Sequence, residues 1–179
     1  REEWERLLQA MEKDHGLGRD SILAQLEEKL GWVHAPEALE PLVAAREMIP
    51  PILFHGYGRG NEAAAKSWDG LPLSGGGMPE EAGEGEDPAW FLGQWLSFYG
   101  PRNADFLRRT LGLPADRLLP ALDDLRDAEK AVKGRLITGG GPEDVCDSGN
   151  FEILLRLARA ESQPAFAPLK IARLPPFLA

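Results

Sequence analysis

The chain has little of what builds disulfide frameworks, metal clusters or membrane spans. Cys146 is its one cysteine, so no disulfide can form within the chain. The three histidines, His15, His34 and His55, lack the short spacing that brings metal ligands together on a helix or knuckle. No apolar run is long enough to cross a bilayer, and no basic-then-apolar leader opens the sequence. We therefore expect a cytoplasmic protein with no metal, no cofactor and no membrane partner.

Positive charge is also scarce, and it is unevenly placed. The net charge is -9; residues 1 to 90 contain 8 basic and 18 acidic side chains, and residues 91 to 179 contain 12 basic and 11 acidic. Affinity for duplex DNA depends mainly on phosphate neutralisation, so a free-standing DNA-binding protein is disfavoured. A module tethered to a larger protein needs less affinity, because tethering raises its effective concentration. The start at Arg1 rather than Met leads us to expect such an excised fragment.

Start and stop signals in the second half predict three helices. The first begins at Asp87-Pro88, has apolar residues at helical spacing and ends at Gly100. The second begins at Asn103 and ends at Gly112. The third follows Leu113-Pro114 and has an apolar stripe and an acidic face. The residues concerned are Phe91, Trp95 and Phe98 in the first helix, Phe106, Leu107 and Leu111 in the second, and Leu118, Leu122 and Leu125 opposite Asp123, Asp124 and Asp127 in the third.

A hairpin and a fourth helix are predicted next. Residues 131 to 138 suit a strand, residues 139 to 142 must turn, and Val145-Cys146 can pair back as the second strand. A fourth helix, from about Gly149 to Ala160, is expected to bury its apolar residues Phe151, Leu154, Leu155 and Ala158. Three helices and a hairpin predict a winged helix-turn-helix over residues 88–162.

Four short pieces of this region resemble the large helicase-related (Lhr-type) DEAD/DEAH helicases, in the part that follows their motor domains. They are Leu96-Ser-Phe-Tyr-Gly-Pro, Leu111-Gly-Leu-Pro, Gly134-Arg135 and Cys146-Asp147. The resemblance covers about the second half of the chain and includes no catalytic signature. Family members often carry Trp just before the Cys-Asp pair, where this sequence has Val145.

The resemblance implies a non-catalytic accessory part of a long ATP-dependent helicase that acts on nucleic acid. ATP and magnesium would then belong to the motor of the parent protein, and the partners would be that motor and, weakly, nucleic acid. The alternative is a winged-helix protein-interaction or transcription-regulator module unrelated to any helicase. Motor motifs upstream in the same gene would distinguish these two hypotheses.

The remaining segments have weaker signals. Residues 1–68 are predicted to form a helical unit, with helices over residues 2 to 14, 20 to 30 and 36 to 48 and a short strand at residues 52 to 54. Residues 69–87 are rich in Gly, Pro and Glu and are predicted to be a linker or long loop. Residues 163–179 are predicted to form a Pro-rich extended tail or an apolar docking peptide. The predicted fold class is mainly α with a small β-hairpin.

One segment nearly matches a phosphate-binding loop. Residues 60 to 67 fit G-x-x-x-x-G-K-[ST] except that Ala65 occupies the glycine position, where the backbone must approach phosphate closely. We interpret this segment as the start of a helix with Lys66 on its solvated side. A small enzyme that uses this Gly-rich loop is a third hypothesis, and it would require the chain to bind nucleotide.

Basic residues of the second half are the candidates for nucleic-acid contact. Contacts from such positions would hold phosphate without reading sequence. The acidic face of the third helix argues against insertion into a major groove. Trp68, beside the Gly-rich loop, is the candidate for stacking on a base. The basic candidates are Arg108, Arg109, Lys130, Lys133, Arg135, Arg156 and Arg159.

Overall fold

The computed structural model describes residues 2–58, 63–73 and 85–163. It is a mixed α/β fold that contains, within those residues, seven α-helices and two small antiparallel sheets of three strands each. The elements of the first part are α1 Glu2–His15, α2 Arg19–Leu26, β1 Leu30–His34, β2 Leu42–Ala45, α3 Ile49–Pro51, a π-helical turn Ile52–Tyr57 and β3 Ala64–Ser67. The elements of the second part are α4 Pro88–Leu96, β4 Arg102–Asn103, α5 Ala104–Leu111, α6 Ala115–Asp127, β5 Ala131–Gly134, β6 Asp144–Asp147 and α7 Ser148–Ser162.

Both sheets have their central strand paired on each side. In the first sheet the order is β2-β1-β3, and Val33 lies opposite Leu42 on one side and Ala65 on the other. In the second sheet the order is β4-β6-β5, and Val145 lies between Arg102 and Lys133. The second sheet therefore joins the predicted hairpin to a two-residue strand that precedes α5.

One hydrophobic core runs through both parts of the chain. Val33, Ile49 and Tyr57 of the first part are buried in the same cluster as Leu92 and Leu107 of the second. The Tyr57 hydroxyl donates a hydrogen bond of 2.5 Å to the carbonyl oxygen of Leu111, at the end of α5. The two parts thus share apolar packing and a buried polar contact. The predicted division into residues 1–68, 69–87, 88–162 and 163–179 stays a prediction.

The predicted starts of the first two helices of the second part, and the predicted end of the second, are confirmed. The Asp87 carboxylate accepts a hydrogen bond of 2.9 Å from the backbone N–H of Trp90, and the Asn103 side chain accepts one of 2.8 Å from that of Phe106. Gly112 ends α5 with φ of +65°, a left-handed conformation that favours glycine. Leu118, Leu122 and Leu125 of α6 are buried as predicted.

The first part is not the helical unit with one short strand that the sequence predicts, because a three-stranded sheet forms there. Residues 36 to 48 do not form one helix: Pro41 cannot donate a helical hydrogen bond, Leu42–Ala45 pairs with β1, and only Arg46–Met48 are helical, as a 3-10 turn. Residues 52 to 54 are not a strand, since Pro50 and Pro51 sit at the start of a helical turn that continues into the π-helical turn. Lys66 does not start a helix; it lies exposed on β3, opposite Trp32.

Three expectations in the second part also need correction. Helix α4 ends at Leu96, so Phe98 lies in a turn and is 83% exposed instead of joining the apolar stripe. The first hairpin strand ends at Gly134, four residues before the predicted Thr138. Helix α7 forms where a fourth helix was predicted, but none of its residues is buried.

Two predicted segments lie partly or wholly outside the described residues. Residues 74 to 84 of the predicted linker and residues 164 to 179 of the predicted tail are among them. The linker starts with a turn in which the N–H of Gly70 donates to the carbonyl of Ser67, and the chain then pairs back on β3, where the N–H of Leu73 donates to the carbonyl of Ala65. None of the helices in the described residues combines the length and apolarity that a membrane crossing requires.

Candidate nucleic-acid interface

The exposed face of α6 is acidic. Asp123, Asp124 and Asp127 are all exposed there. Arg126, on the same face, is engaged by its neighbours, with its guanidinium 2.9 Å from the Asp123 carboxylate and 3.0 Å from that of Asp127. The hydrogen bond that Arg126 donates to the Asp127 carboxylate and the negative charges of Asp123 and Asp127 raise the pKa of Arg126. This face would repel phosphate, as the sequence predicts.

Helix α5 contacts the first part of the chain through the Arg108 side chain and the Arg109 backbone. The Arg108 guanidinium lies 3.9 Å from the Glu37 carboxylate. The carbonyl of Arg109 accepts a backbone hydrogen bond of 2.9 Å from the N–H of Leu39, while its side chain is exposed. Arg108 is therefore partly neutralised, and Arg109 remains available to an anion.

The hairpin carries three of the predicted cations. Lys130 is exposed in the turn between α6 and β5, and Arg135 is exposed just after β5. The Lys133 ammonium forms an ion pair with the Glu143 carboxylate on the opposite arm of the hairpin. Lys130 and Arg135 are therefore exposed to solvent, whereas the charge of Lys133 is paired with that of Glu143.

The remaining two cations lie on α7. The Arg156 guanidinium is 2.6 Å from the Glu152 carboxylate one turn earlier. This hydrogen bond raises the pKa of Arg156 and lowers that of Glu152. Arg159 is exposed. The seven predicted contacts are therefore spread over α5, the hairpin and α7, and Arg108, Lys133 and Arg156 are each paired with a carboxylate.

Trp68 is packed against other tryptophans. Its ring stacks on Trp32, with centroids 4.8 Å apart and planes 20° apart, and it meets Trp4 at 5.6 Å. The side chain is only partly exposed. This arrangement ties α1 to the first sheet, and it occupies one face of the ring that was predicted to stack on a base.

A second aromatic cluster was not predicted. Trp95 and Tyr99 stack with centroids 3.8 Å apart, and the Arg102 guanidinium lies over the Phe106 ring at 4.8 Å from its centroid. All four side chains are partly buried. The i,i+4 spacing of Trp95 and Tyr99 is a local signal for the first contact, whereas the second needs the turn that places β4 against the start of α5.

Arg117 on α6 links three segments of the chain, and no sequence pattern predicted this role. Its guanidinium donates to the carbonyls of His55 and Gly56, both at 3.2 Å, and to the Glu86 carboxylate at 2.8 Å. The imidazole Nδ1 of His55 in turn accepts a hydrogen bond of 3.1 Å from the N–H of Asp87. These bonds satisfy carbonyls of the π-helical turn and connect it to the start of α4.

The described residues offer little for covalent or metal chemistry. Cys146 is fully buried, and burial raises the pKa of its thiol, which disfavours the reactive thiolate. In residues 2–58, 63–73 and 85–163 no three His, Cys, Asp or Glu side chains group as metal ligands would. A cleft of about 700 Å³ lies between α4, α6 and the start of α7. Two of the carboxylates that line it, Asp87 and Asp147, already accept hydrogen bonds from backbone N–H groups in the first turns of α4 and α7.

No family model, curated protein or solved structure matches this chain.

Proposed function

We propose that the second part of the chain is a winged-helix module and that the protein is a non-catalytic accessory part of an Lhr-type ATP-dependent helicase. The element order α4, β4, α5, α6, β5, β6 supports the first statement, because a winged helix alternates helix, strand, helix, helix, strand and strand. The pairing of β4 with β6 closes the three-stranded sheet that such a fold requires. The Leu96-Ser-Phe-Tyr-Gly-Pro and Leu111-Gly-Leu-Pro pieces support the second.

Within that assignment, we propose that the module acts through protein contacts that brace the motor. The observation that carries this choice is the acidic face of α6, the helix that would enter a DNA groove. Three aspartates on that face surround Arg126, whose charge two of them already neutralise. Approach to a phosphate backbone would therefore cost electrostatic energy at the position where recognition helices usually bind.

Weak, sequence-independent nucleic-acid contact is the second candidate. It is favoured by the exposed Lys130 and Arg135 on the hairpin and by Arg159 on α7. Cations in such places can hold phosphate without reading bases. Motor domains in the same chain would supply the missing affinity through effective concentration.

Fluorescence anisotropy of labelled single-stranded and duplex oligonucleotides separates the two candidates. The chain is titrated at about 50 mM and about 200 mM salt, since phosphate contacts weaken steeply over this range. A triple variant, Lys130→Ala, Arg135→Ala and Arg159→Ala, is compared with a control that changes the paired cations, Arg108→Ala, Lys133→Ala and Arg156→Ala. We expect no saturable binding by any of the three proteins. Salt-sensitive binding that only the first variant loses would refute the bracing role and establish the second candidate.

The helicase assignment is tested separately on the full gene product. We expect motor motifs upstream of residue 1 and ATPase activity that nucleic acid stimulates. A reading frame without motor motifs would refute the assignment and leave the alternative of an independent winged-helix regulator or protein-interaction module.

A further inference from the structure

The two outer edges of the first sheet differ in how their backbone groups are satisfied. The outer edge of β3 is covered by the chain that follows it: the N–H of Ser67 donates to the carbonyl of Leu71 at 2.8 Å, and that of Leu73 donates to the carbonyl of Ala65 at 2.9 Å. Along the outer edge of β2, Leu42–Ala45, no residue in the described part of the chain makes an equivalent bond.

The pairing of β2 with β1 determines which backbone groups point to this outer edge. In an antiparallel ladder, residues that exchange hydrogen bonds with the neighbouring strand alternate with residues that do not. The N–H of Arg46 donates to the carbonyl of Lys29 at 2.8 Å, so Arg46 and, two residues earlier, Ala44 bond to β1. Val43 and Ala45 belong to the other set, and their N–H groups therefore point away from β1.

Strand β2 lacks the features that usually protect an exposed edge. Such edges normally carry charged side chains, proline or a bulge, which discourage pairing with another strand. The sequence of β2 is Leu-Val-Ala-Ala, without a charge or a proline, and all four residues are partly exposed. Their register with β1 is continuous, without a bulge. This edge can therefore accept a further strand.

The outward groups of this edge are self-complementary. Val43 offers both its N–H and its carbonyl, and Ala45 offers its N–H. The carbonyl of Ala45 is already used, because Ala45 is the N-cap of the 3-10 turn Arg46–Met48 and accepts the first bond of that turn. Pro41, two residues before Val43, offers a carbonyl but has no N–H. Donors at positions 43 and 45 thus match acceptors at positions 43 and 41 when the same edge approaches in the opposite direction.

The charges that flank β2 fit the same register. When Val43 lies opposite Val43 of a second copy, Arg46 lies opposite Glu40 of that copy, once on each side of the two-fold axis. Both side chains are exposed. Opposite charges that face each other across a strand pair stabilise it, and like charges destabilise it. A separate peptide would need to supply this pattern, whereas a second copy of the chain already carries it.

We propose that the outer edge of β2 is a dimer interface, at which two copies of the chain pair antiparallel about Val43. The N–H of Val43 donates to the carbonyl of Val43 in the other copy, and the N–H of Ala45 donates to the carbonyl of Pro41. These bonds join the two three-stranded sheets into one sheet of six strands. The contact involves only short strands and lies at the low end of specific interfaces, so the dimer forms at high protein concentration.

Analytical ultracentrifugation of the full chain, from about 10 µM to about 1 mM, tests the proposal. The variant is Ala45→Pro, which removes the outward N–H and places a ring at the edge. Ala45 already has φ of -61°, the value that proline requires, and its N–H does not bond to β1, so the urea midpoint should stay close to that of the wild type. The matched control is Ala45→Ser, which keeps the N–H. We expect the wild type and the control to move from 19.6 kDa towards twice that mass as concentration rises, and Ala45→Pro to remain a monomer.

A charge exchange tests the register without a change to the backbone. Arg46→Glu places like charges opposite each other at both ends of the strand pair, so we expect the dissociation constant of the dimer to rise at least about threefold. The double variant Glu40→Arg, Arg46→Glu restores opposite charges and should return the dissociation constant to about the wild-type value. A double variant that dimerises no better than Arg46→Glu alone would refute this register.

Amide hydrogen exchange, resolved by residue, locates the interface. As the concentration of the wild type rises, the amides of Val43 and Ala45 should exchange more slowly, whereas those of Leu42 and Ala44, already bonded to β1, should not change. A wild type that remains a monomer at about 1 mM would overturn the proposal. A dimer that persists in Ala45→Pro, or that leaves the amides of Val43 and Ala45 unprotected, would place the contact on another surface and also overturn it.

Discussion

Replacement of Tyr57 by phenylalanine tests how the two parts of the chain are joined. The Tyr57 hydroxyl is buried and donates to the carbonyl of Leu111, the last residue of α5, which no residue of its own helix can satisfy. Tyr57→Phe keeps the ring in the core and removes only this donor. Since a typical hydrogen bond contributes about 0.5–1.5 kcal/mol, we expect the variant to lose about 1 kcal/mol of unfolding free energy near neutral pH.

The same substitution has a signature at high pH. Burial raises the pKa of Tyr57 well above its ordinary value of 10.0. In the unfolded chain the phenol ionises above about pH 10, whereas in the folded chain it stays neutral. The stability contributed by this group is therefore complete below about pH 10 and decreases by about 1.4 kcal/mol per pH unit above it. The advantage of the wild type over Tyr57→Phe should vanish near pH 11.

Urea unfolding followed by tryptophan fluorescence measures this difference at about pH 8 and about pH 11. Lysines titrate in both proteins, so their contribution cancels when the two are compared. Tyr99→Phe is the matched control, because Tyr99 is the other tyrosine and is only partly buried. A gap between wild type and Tyr57→Phe that is the same at both pH values would show that Tyr57 ionises as easily in the folded chain as in the unfolded one, and would refute the reasoning.

Three further substitutions test local features of the fold, each by the shift of the urea midpoint. Gly112→Ala places a Cβ in a left-handed backbone conformation and about 2.6 Å from the N atom of Ala38. We therefore expect the unfolding free energy to fall by at least about 1–3 kcal/mol. A smaller loss than that of the exposed control Gly100→Ala would contradict this strain. Asn103→Ala removes the N-cap of α5 and should cost about 1 kcal/mol, with Asn103→Ser close to wild type. Asn150→Asp turns the donor that faces three carbonyls into an acceptor and should cost about 1–3 kcal/mol and speed exchange throughout α7; unchanged exchange would show that this anchor is dispensable.

Local signals were sufficient for the starts of α4 and α5 and for the end of α5. Asp87 and Asn103 begin helices through side-chain hydrogen bonds to residues three positions later, and Gly112 ends one through its own backbone conformation. Each of these effects depends on a few neighbouring residues, so it can be read from the chain. The buried stripe of α6 is equally local, because it follows from the helical period.

The first sheet required information that no local pattern contains. Residues 42 to 45 and 64 to 67 are short and alanine-rich, and they become strands because β1 lies between them. Strand β4 has only two residues and exists through its pairing with β6, more than 40 residues later in the chain. Pairing over such distances depends on which segments the core brings together, and intrinsic strand preference is a weak guide to it.

The candidate interface divides in the same way. The sequence alone determined which side chains carry charge, that α6 presents aspartates on one face and that the second part is nearly neutral. Only the tertiary structure decided that Arg108, Lys133 and Arg156 lie beside carboxylates and that Arg117 joins the π-helical turn to α6. The physical reason is that the covalent sequence fixes which side chains are charged, whereas the packing of distant elements determines which charges lie close together. The same holds for α7: the sequence fixes its apolar residues, but their exposure depends on which elements pack against them.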